Sequence, residues 1–239
     1  MPDATFRDLV LDATDAATLS DFWAHILGRT QDGAGGADRV VEPSAGGPAG
    51  ERIWVNQVAH PRSGKARVHL DIRLPAADPT VLLAAGASLL REPAGEQHWW
   101  VLADPEGNEF CAMPPAPPEW HADVDRPTPF ELVVDAADPG TIATWWAERV
   151  GGEATVEAGF AYVRGAVGFP WYAWVFPAVP EPKAGKNRWH WDVDLVSADP
   201  SAFLDAGARV LTEPGEDRWW VLADPEGNEF CAFPPAADG

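Results

Sequence analysis

The stretch WWVLADPEGNEFCA occupies residues 99–112 and returns without a single change at 219–232. WWVLAD alternates in the manner of a strand. Asp-Pro-Glu-Gly-Asn is a turn, because Pro suits its first central position and Gly and Asn tolerate a positive φ. EFCA then reads as the returning strand of a hairpin. Side chains alternate across a strand, so Glu109 and Cys111 share one face while Phe110 and Ala112 take the other.

The duplication extends outward from this hairpin. LVLDATDAATLSDFWAHILG (9–28) parallels LVVDAADPGTIATWWAERVG (132–151), and PRSGKARVHLDIRL (61–74) parallels PKAGKNRWHWDVDL (182–195). ADPTVLLAAGASLLREP (77–93) parallels ADPSAFLDAGARVLTEP (198–214). The reading is one copy in residues 1–113 and a second in 129–239, joined by a proline-rich linker, 114–128. Each copy contains a smaller repeat. A strand leads to Asp15, an N-cap candidate, and then Leu19, Phe22, Trp23, Ile26 and Leu27 recur at helical spacing until Gly28. In the second copy, Asp138-Pro139 opens the helix and Ile142, Trp145, Trp146 and Val150 form the stripe. Later in each copy a shorter helix follows VHLDIRL or its counterpart. The expected unit is βαβββ, used four times, in an α+β fold whose sheets curve into cups.

Strand alternation assigns the polar groups to the face away from the helices. Val68, Leu70 and Ile72 belong to the core, whereas His69, Asp71 and Arg73 face the other way. Leu9 and Leu11 pack inward while Asp8, Val10 and Asp12 do not. Of the paired tryptophans, one ring of Trp99-Trp100 and of Trp219-Trp220 is expected on the cup side.

Composition excludes several classes of function. The formal charge is −20, so nucleic acid is not an expected partner, since phosphate binding needs a basic surface. No run is long and apolar enough for a membrane span, and MPDATFRDLV is not a secretory signal. Cys111 and Cys231 fall at equivalent places, one thiol per copy and not a disulfide framework, which fits a cytoplasmic location. The chain is expected to act as a monomer or homodimer on a small molecule.

The D-x-x-x-L-x-x-F-W-x-x-x-L-G helix, the GK-x-R-x-H-x-D strand and the DPEGNEFC hairpin resemble the glyoxalase-like proteins of the vicinal oxygen chelate superfamily, which also includes bleomycin-resistance proteins and extradiol dioxygenases. The resemblance implies two tandem domains, each of two βαβββ modules. It also implies metal-ligand positions on the first, fourth, fifth and eighth strands of a domain. Carried over residue by residue, these fall on Asp8, Asn56, His69 and Cys111 in copy one. In copy two they fall on Glu131, Pro177, His190 and Cys231. The thiols replace the family's glutamate, and Glu109 and Glu229 lie two residues earlier on the same face. Pro177 offers no side-chain donor. The expectation is therefore no bound metal, or a divalent metal in the first copy alone, on Asp8, His69 and Cys111.

Two readings follow. In one, the cups bind and sequester a planar or cationic natural product by stacking, cation–π contact and charge. The ligand-contacting residues would then be Asn56, Asp71, Trp99, Cys111, Glu131, Trp174, His190, Asp192, Trp219, Glu229 and Cys231. In the other, the protein is a lyase or isomerase acting beside a carbonyl, with Asp8 or Glu109 as base and His69 as acid or ligand, with or without a metal. The aromatic run FPWYAWVF (169–176) is expected to form a flat-ligand wall in copy two.

Overall fold

A computed structural model describes residues 1–62, 64–115, 125–215 and 219–236. Most of the 114–128 linker lies outside them. The four βαβββ modules are all present. The first holds β1 (Ala4–Ala13), α1 (Ala16–Leu27), β2 (Gln31–Gly35), β3 (Asp38–Val41) and β4 (Ile53–Gln57). The second holds β5 (Val68–Arg73), α2 (Thr80–Ala84), β6 (Ser88–Arg91), β7 (Trp100–Ala103) and β8 (Glu109–Met113). The third has β9 (Thr128–Val134), α3 (Pro139–Val150), β10 (Glu153–Glu157), β11 (Phe160–Arg164) and β12 (Ala173–Pro177). The fourth has β13 (Trp189–Leu195), α4 (Ser201–Asp205), β14 (Arg209–Thr212), β15 (Trp220–Ala223) and β16 (Glu229–Phe233).

Two curved eight-stranded sheets result, but neither is built from one sequence copy. Sheet A runs β14-β15-β16-β13-β1-β4-β3-β2, and sheet B runs β10-β11-β12-β9-β5-β8-β7-β6. The first module therefore pairs with the fourth, and the second with the third. The seams are antiparallel: Asp8 opposes Asp192 across β1 and β13, and Asp71 opposes Glu131 across β5 and β9.

What holds each copy together, and the two copies to one another, is the layer beneath the sheets. The α1 stripe is buried, with Trp23 fully enclosed, and its ring lies 5.3 Å from Phe110 and 5.2 Å from Trp189. In copy two, Trp146 meets Phe230 at 5.0 Å and Trp191 at 5.2 Å. The helix caps are as the sequence suggests. The Asp15 carboxylate accepts from Thr18 N at 3.0 Å, and that of Asp138 from Thr141 N at 3.1 Å.

The repeated hairpin turn has a structural role. Asp104 Oδ1 accepts from the N–H groups of Glu106 and Asn108, at 3.0 and 2.9 Å, which shapes the loop from inside. Gly107 takes a positive φ of 81° there. Glu106 then reaches out of the turn. Its carboxylate accepts from Thr14 N at 3.0 Å and Asp15 N at 2.6 Å, and Glu226 receives Ala137 N and Asp138 N at 2.8 Å each. These are backbone donors at the helix start, the end of the dipole that favours an anion. DPEGN thus latches the second module of each copy onto the first helix of the same copy.

Candidate functional site

His69, Asp71 and Cys111 come together on the concave face of sheet B, and His190, Asp192 and Cys231 do so on sheet A. In each trio the potential ligand atoms all lie within 4.8 Å of one another. The cause is alternation. With Leu70 and Ile72 committed to the core, His69 and Asp71 must share the opposite face, and β8 runs parallel beside β5.

The module exchange regroups the expected site residues. Asp8 does not join His69 and Cys111. It lies on sheet A opposite Asp192, where it accepts from Trp54 Nε1 at 3.2 Å and lies 3.4 Å from Arg7 and 3.6 Å from Arg52. Glu131 crosses in the other direction, to face Asp71 on sheet B. Asn56 likewise lines the sheet A cup and not the cup of His69. The proposed catalytic trio of His69, Glu109 and Asp8 is not assembled. Glu109 accepts from Ala66 N at 2.8 Å and sits 3.8 Å from Arg62. Glu229 pairs with Lys183 at 2.7 Å and accepts from Asn187 N at 3.2 Å. Both glutamates brace the loop before the central strand.

Most of the aromatic wall expected of copy two is core; Tyr172, half-buried against Phe130, is the exception. Trp174 and Phe176 are fully buried, and Trp171 is 9% exposed. Trp174 lies 4.8 Å from Trp146 beneath the sheet. Its alternate neighbours Val175 and Pro177 face the cup in its place. Trp99 is half-buried next to β7. Trp219 stacks on Phe233 at 5.1 Å and lines a cavity of about 490 Å³ in sheet A. Val10, Trp54, Asn56, His190, Asp192 and Cys231 also line it. Sequence reasoning missed Trp54 and Phe233, although their places on alternate strand positions beside Asn56 and Cys231 carried the signal.

The two clusters differ electrostatically. On sheet B, His69 Nε2 lies 3.3 Å from Asp71 Oδ1 and 3.6 Å from Cys111 Sγ. Burial opposes an imidazolium there, but the Cys111 sulfur and Asp71 outweigh it and lift the His69 pKa well above its ordinary value. Burial, then the Asp71 charge, pushes the Cys111 thiol up. Glu131 is raised to about 7 by burial and by Asp71 opposite. On sheet A, burial lowers His190. Burial and the neighbouring Asp8 raise Asp192 to about 8, and burial pushes the Cys231 thiol strongly up. Burial raises Asp8 too, against Trp54, Arg52 and Arg7. Like charges directly opposite across a strand pair are unfavourable, and protonation of one partner relieves this.

The donor sets fit a divalent metal of the zinc type. Imidazole, thiolate and carboxylate are all zinc ligands. Among the described residues, His190 Nδ1 and Asp192 Oδ1 are buried with no hydrogen-bond partner of their own. The fit is as good on sheet A as on sheet B, against the expectation of a metal in the first copy alone, because each trio draws an aspartate from its own central strand and Pro177, on β12 of sheet B, takes no part in the His190 cup.

The comparisons agree with this architecture. Maize glyoxalase I superposes with a TM-score of 0.67 at 12% identity, over 96% of this chain and 92% of that one. The cppA protein of Streptococcus pneumoniae TIGR4 gives 0.51 at 10% identity, over 96% and 99%. At such identities the likeness is one of fold. None of the curated proteins is detectably similar in sequence. The profile described as "Glyoxalase-like domain" matches residues 8–113 and again 131–233. With two such matches, two curved sheets and a ligand-sized cup, the chain belongs to the glyoxalase-like family of the vicinal oxygen chelate superfamily, in tandem-domain form.

Proposed function

We propose that the protein binds a flat organic molecule in the sheet A cup and holds it out of solution, as the drug-sequestering branch of the superfamily does. The observation that supports this is the cavity of about 490 Å³ walled by Trp54, Trp219 and Phe233, a size and lining usual for small-molecule sites. Aromatic walls gain affinity by burial and offset stacking. At neutral pH Asp192, with its pKa near 8, offers a hydroxyl donor beside the neutral His190. Such a floor suits a neutral or cationic ligand with acceptor groups. Asp38 adds a carboxylate to the same lining. The two unpaired thiols are in keeping with a reducing cytoplasm, and no helix among the described residues is long and apolar enough to cross a membrane. Because each copy completes the other's sheet, a single chain is a sufficient functional unit.

A second reading is favoured by the metal-compatible trios. His69, Asp71 and Cys111, or His190, Asp192 and Cys231, would hold the ion. A bound metal would supply Lewis-acid polarisation of a substrate carbonyl, as in a glyoxalase-type lyase or isomerase.

The full chain titrated with flat natural products, followed by tryptophan fluorescence, separates the readings. Saturable quenching that is lost in Trp54→Ala and Trp219→Ala supports sequestration. Quenching unchanged in both variants would refute the cup as the binding place. Exchange into D2O of the proton beside a ligand carbonyl, seen by proton NMR, would make the protein an enzyme instead.

A further inference from the structure

We propose that the second cup, on sheet B, takes an organic anion: a carboxylate carried on a flat ring. The inference rests on the small-molecule reading above and extends it to a ligand class of opposite charge.

Its basis is a stacked ladder along the cup. The Arg73 guanidinium lies 3.7 Å from the centroid of the Phe130 ring. Phe130 stacks on Tyr172 at 5.2 Å with 14° between the planes. Arg164 sits 4.0 Å from the Tyr172 centroid and 4.9 Å from that of Tyr162. Arg73 shares the face of His69 and Asp71 by alternation on β5. Arg164 and Tyr162 share the cup face of β11, because Ala161 and Val163 between them are fully buried in the core. Both guanidiniums act on Glu131 through their charge, so they flank one patch of the floor.

Neither guanidinium has a carboxylate within ion-pair distance among the described residues. Elsewhere on the chain such pairs are close, as with Arg29 and Glu51 at 2.8 Å and Arg149 and Asp3 at 2.7 Å. The pseudo-equivalent positions make the contrast plain. On sheet A the places of Phe130 and Arg73 are held by Arg7 and Asp194, which pair at 2.7 Å. Substituting a ring for the arginine, and an arginine for the aspartate, leaves Arg73 resting on a ring, with Glu131 and Asp71 acting on it only through their charge from beyond ion-pair distance. A ring holds the guanidinium by its face and leaves the N–H edge for a planar acceptor. One Arg73 donor goes to Pro114 O at 3.1 Å and one Arg164 donor to the Tyr172 hydroxyl. Each guanidinium carries five donors, so the edge is far from used up. A carboxylate accepts two such donors side by side, and its ring would continue the ladder. In a chain of formal charge −20, two guanidiniums without a close ion pair among the described residues share one concave face with Asp71 and Glu131.

Calorimetric titration of the full chain with 2-naphthoate and with its neutral isostere 2-naphthamide tests this. Naphthoate binding is expected to weaken about tenfold or more in Arg73→Gln and in Arg164→Gln, the loss of a charge-assisted hydrogen bond. Naphthamide binding should stay within about twofold in both. Arg164→Lys, which keeps the charge but not the fork, should fall between. Arg164 is exposed, so its variants fold even if Arg73→Gln does not. Equal affinity for acid and amide, or naphthoate binding unchanged in Arg164→Gln, would overturn the inference. Naphthamide binding that depends on Trp54 and Trp219, without any for naphthoate, would overturn it and leave the first cup's function standing. Binding of neither probe would sink both.

Discussion

The cups of sheets A and B share a plan and differ in what the plan holds. Each places His, Asp and Cys together with a carboxylate opposite, yet sheet A encloses its trio under Trp54 and Trp219, with His190, Asp192 and Cys231 all buried. Sheet B leaves His69 and Cys111 partly open and lines its rim with guanidiniums on rings. Close partners decide protonation. Burial opposes charge on both histidines, but Cys111 and Asp71 beside His69 lift it, whereas His190 is lowered, and Asp192 is pushed to about 8 by burial and by Asp8. One duplicated sequence thus yields two floors of different charge, because the groups set beside each histidine and carboxylate differ.

The comparison breaks most completely if the sheets can form without their exchange of modules. Residues 1–117 alone contain β1 without β13 and β5 without β9. No folded monomer is expected from this fragment. Analytical ultracentrifugation with circular dichroism should show either an unfolded chain or a dimer in which a second copy replaces the missing modules. A monomer with a cooperative melt would show that each copy folds by itself.

Next in size is the contrast between two tryptophans. Trp174→Ala removes a fully buried ring and should cost about 3–5 kcal/mol in urea unfolding. Trp54→Ala takes away a half-buried cup residue and should cost well under half of that while abolishing ligand quenching. Equal costs would mean that the cup wall is core after all.

A pH series sharpens the electrostatic difference. Asp192 has a native pKa near 8, above its unfolded value, so between about pH 4 and 8 the native state binds the extra proton and stability falls as pH rises. In the presence of chelator, Asp192→Asn should flatten that decline by a few kcal/mol, an order-of-magnitude figure. Glu131→Gln should act in the same direction but less, since Glu131 reaches only about 7 and is partly solvated. A wild-type stability that rises from pH 5 to pH 8 and is unaffected by Asp192→Asn would contradict the assignment.

The smallest effect concerns the latch. Glu106→Ala and Glu226→Ala each leave two backbone N–H groups at a helix start without a carboxylate, and should cost about 1–2 kcal/mol by thermal melting. Glu106 also lies 3.5 Å from Arg188 of the other copy, so it should cost slightly more than Glu226. The reverse order would remove that cross-copy contact from the comparison.

Much of this was legible in the chain. The four modules, the capped amphipathic helices and the pairing of His69 with Asp71 on one face follow from local rules, because helix caps, turn chemistry and strand alternation act over a few residues. The cup residues went astray where a second rule intervened. Trp174 belongs to an aromatic run that looks like a wall, but alternation beside Trp146 sends it under the sheet. Glu109 stands on the right face but at the strand end, where Ala66 N claims its carboxylate.

The amino-acid sequence by itself determined that this is a duplicated glyoxalase-like chain, and which side chains point away from its helices. Only the tertiary structure decided which modules share a sheet, and hence that Asp8 keeps company with His190 and Glu131 with His69. The physical reason is that a strand's periodicity specifies its faces but not its partner. β1 presents the same edge to any compatible strand, and the choice of β13 is made by the packing of Trp23 against Trp189 and the completion of both open sheets at once.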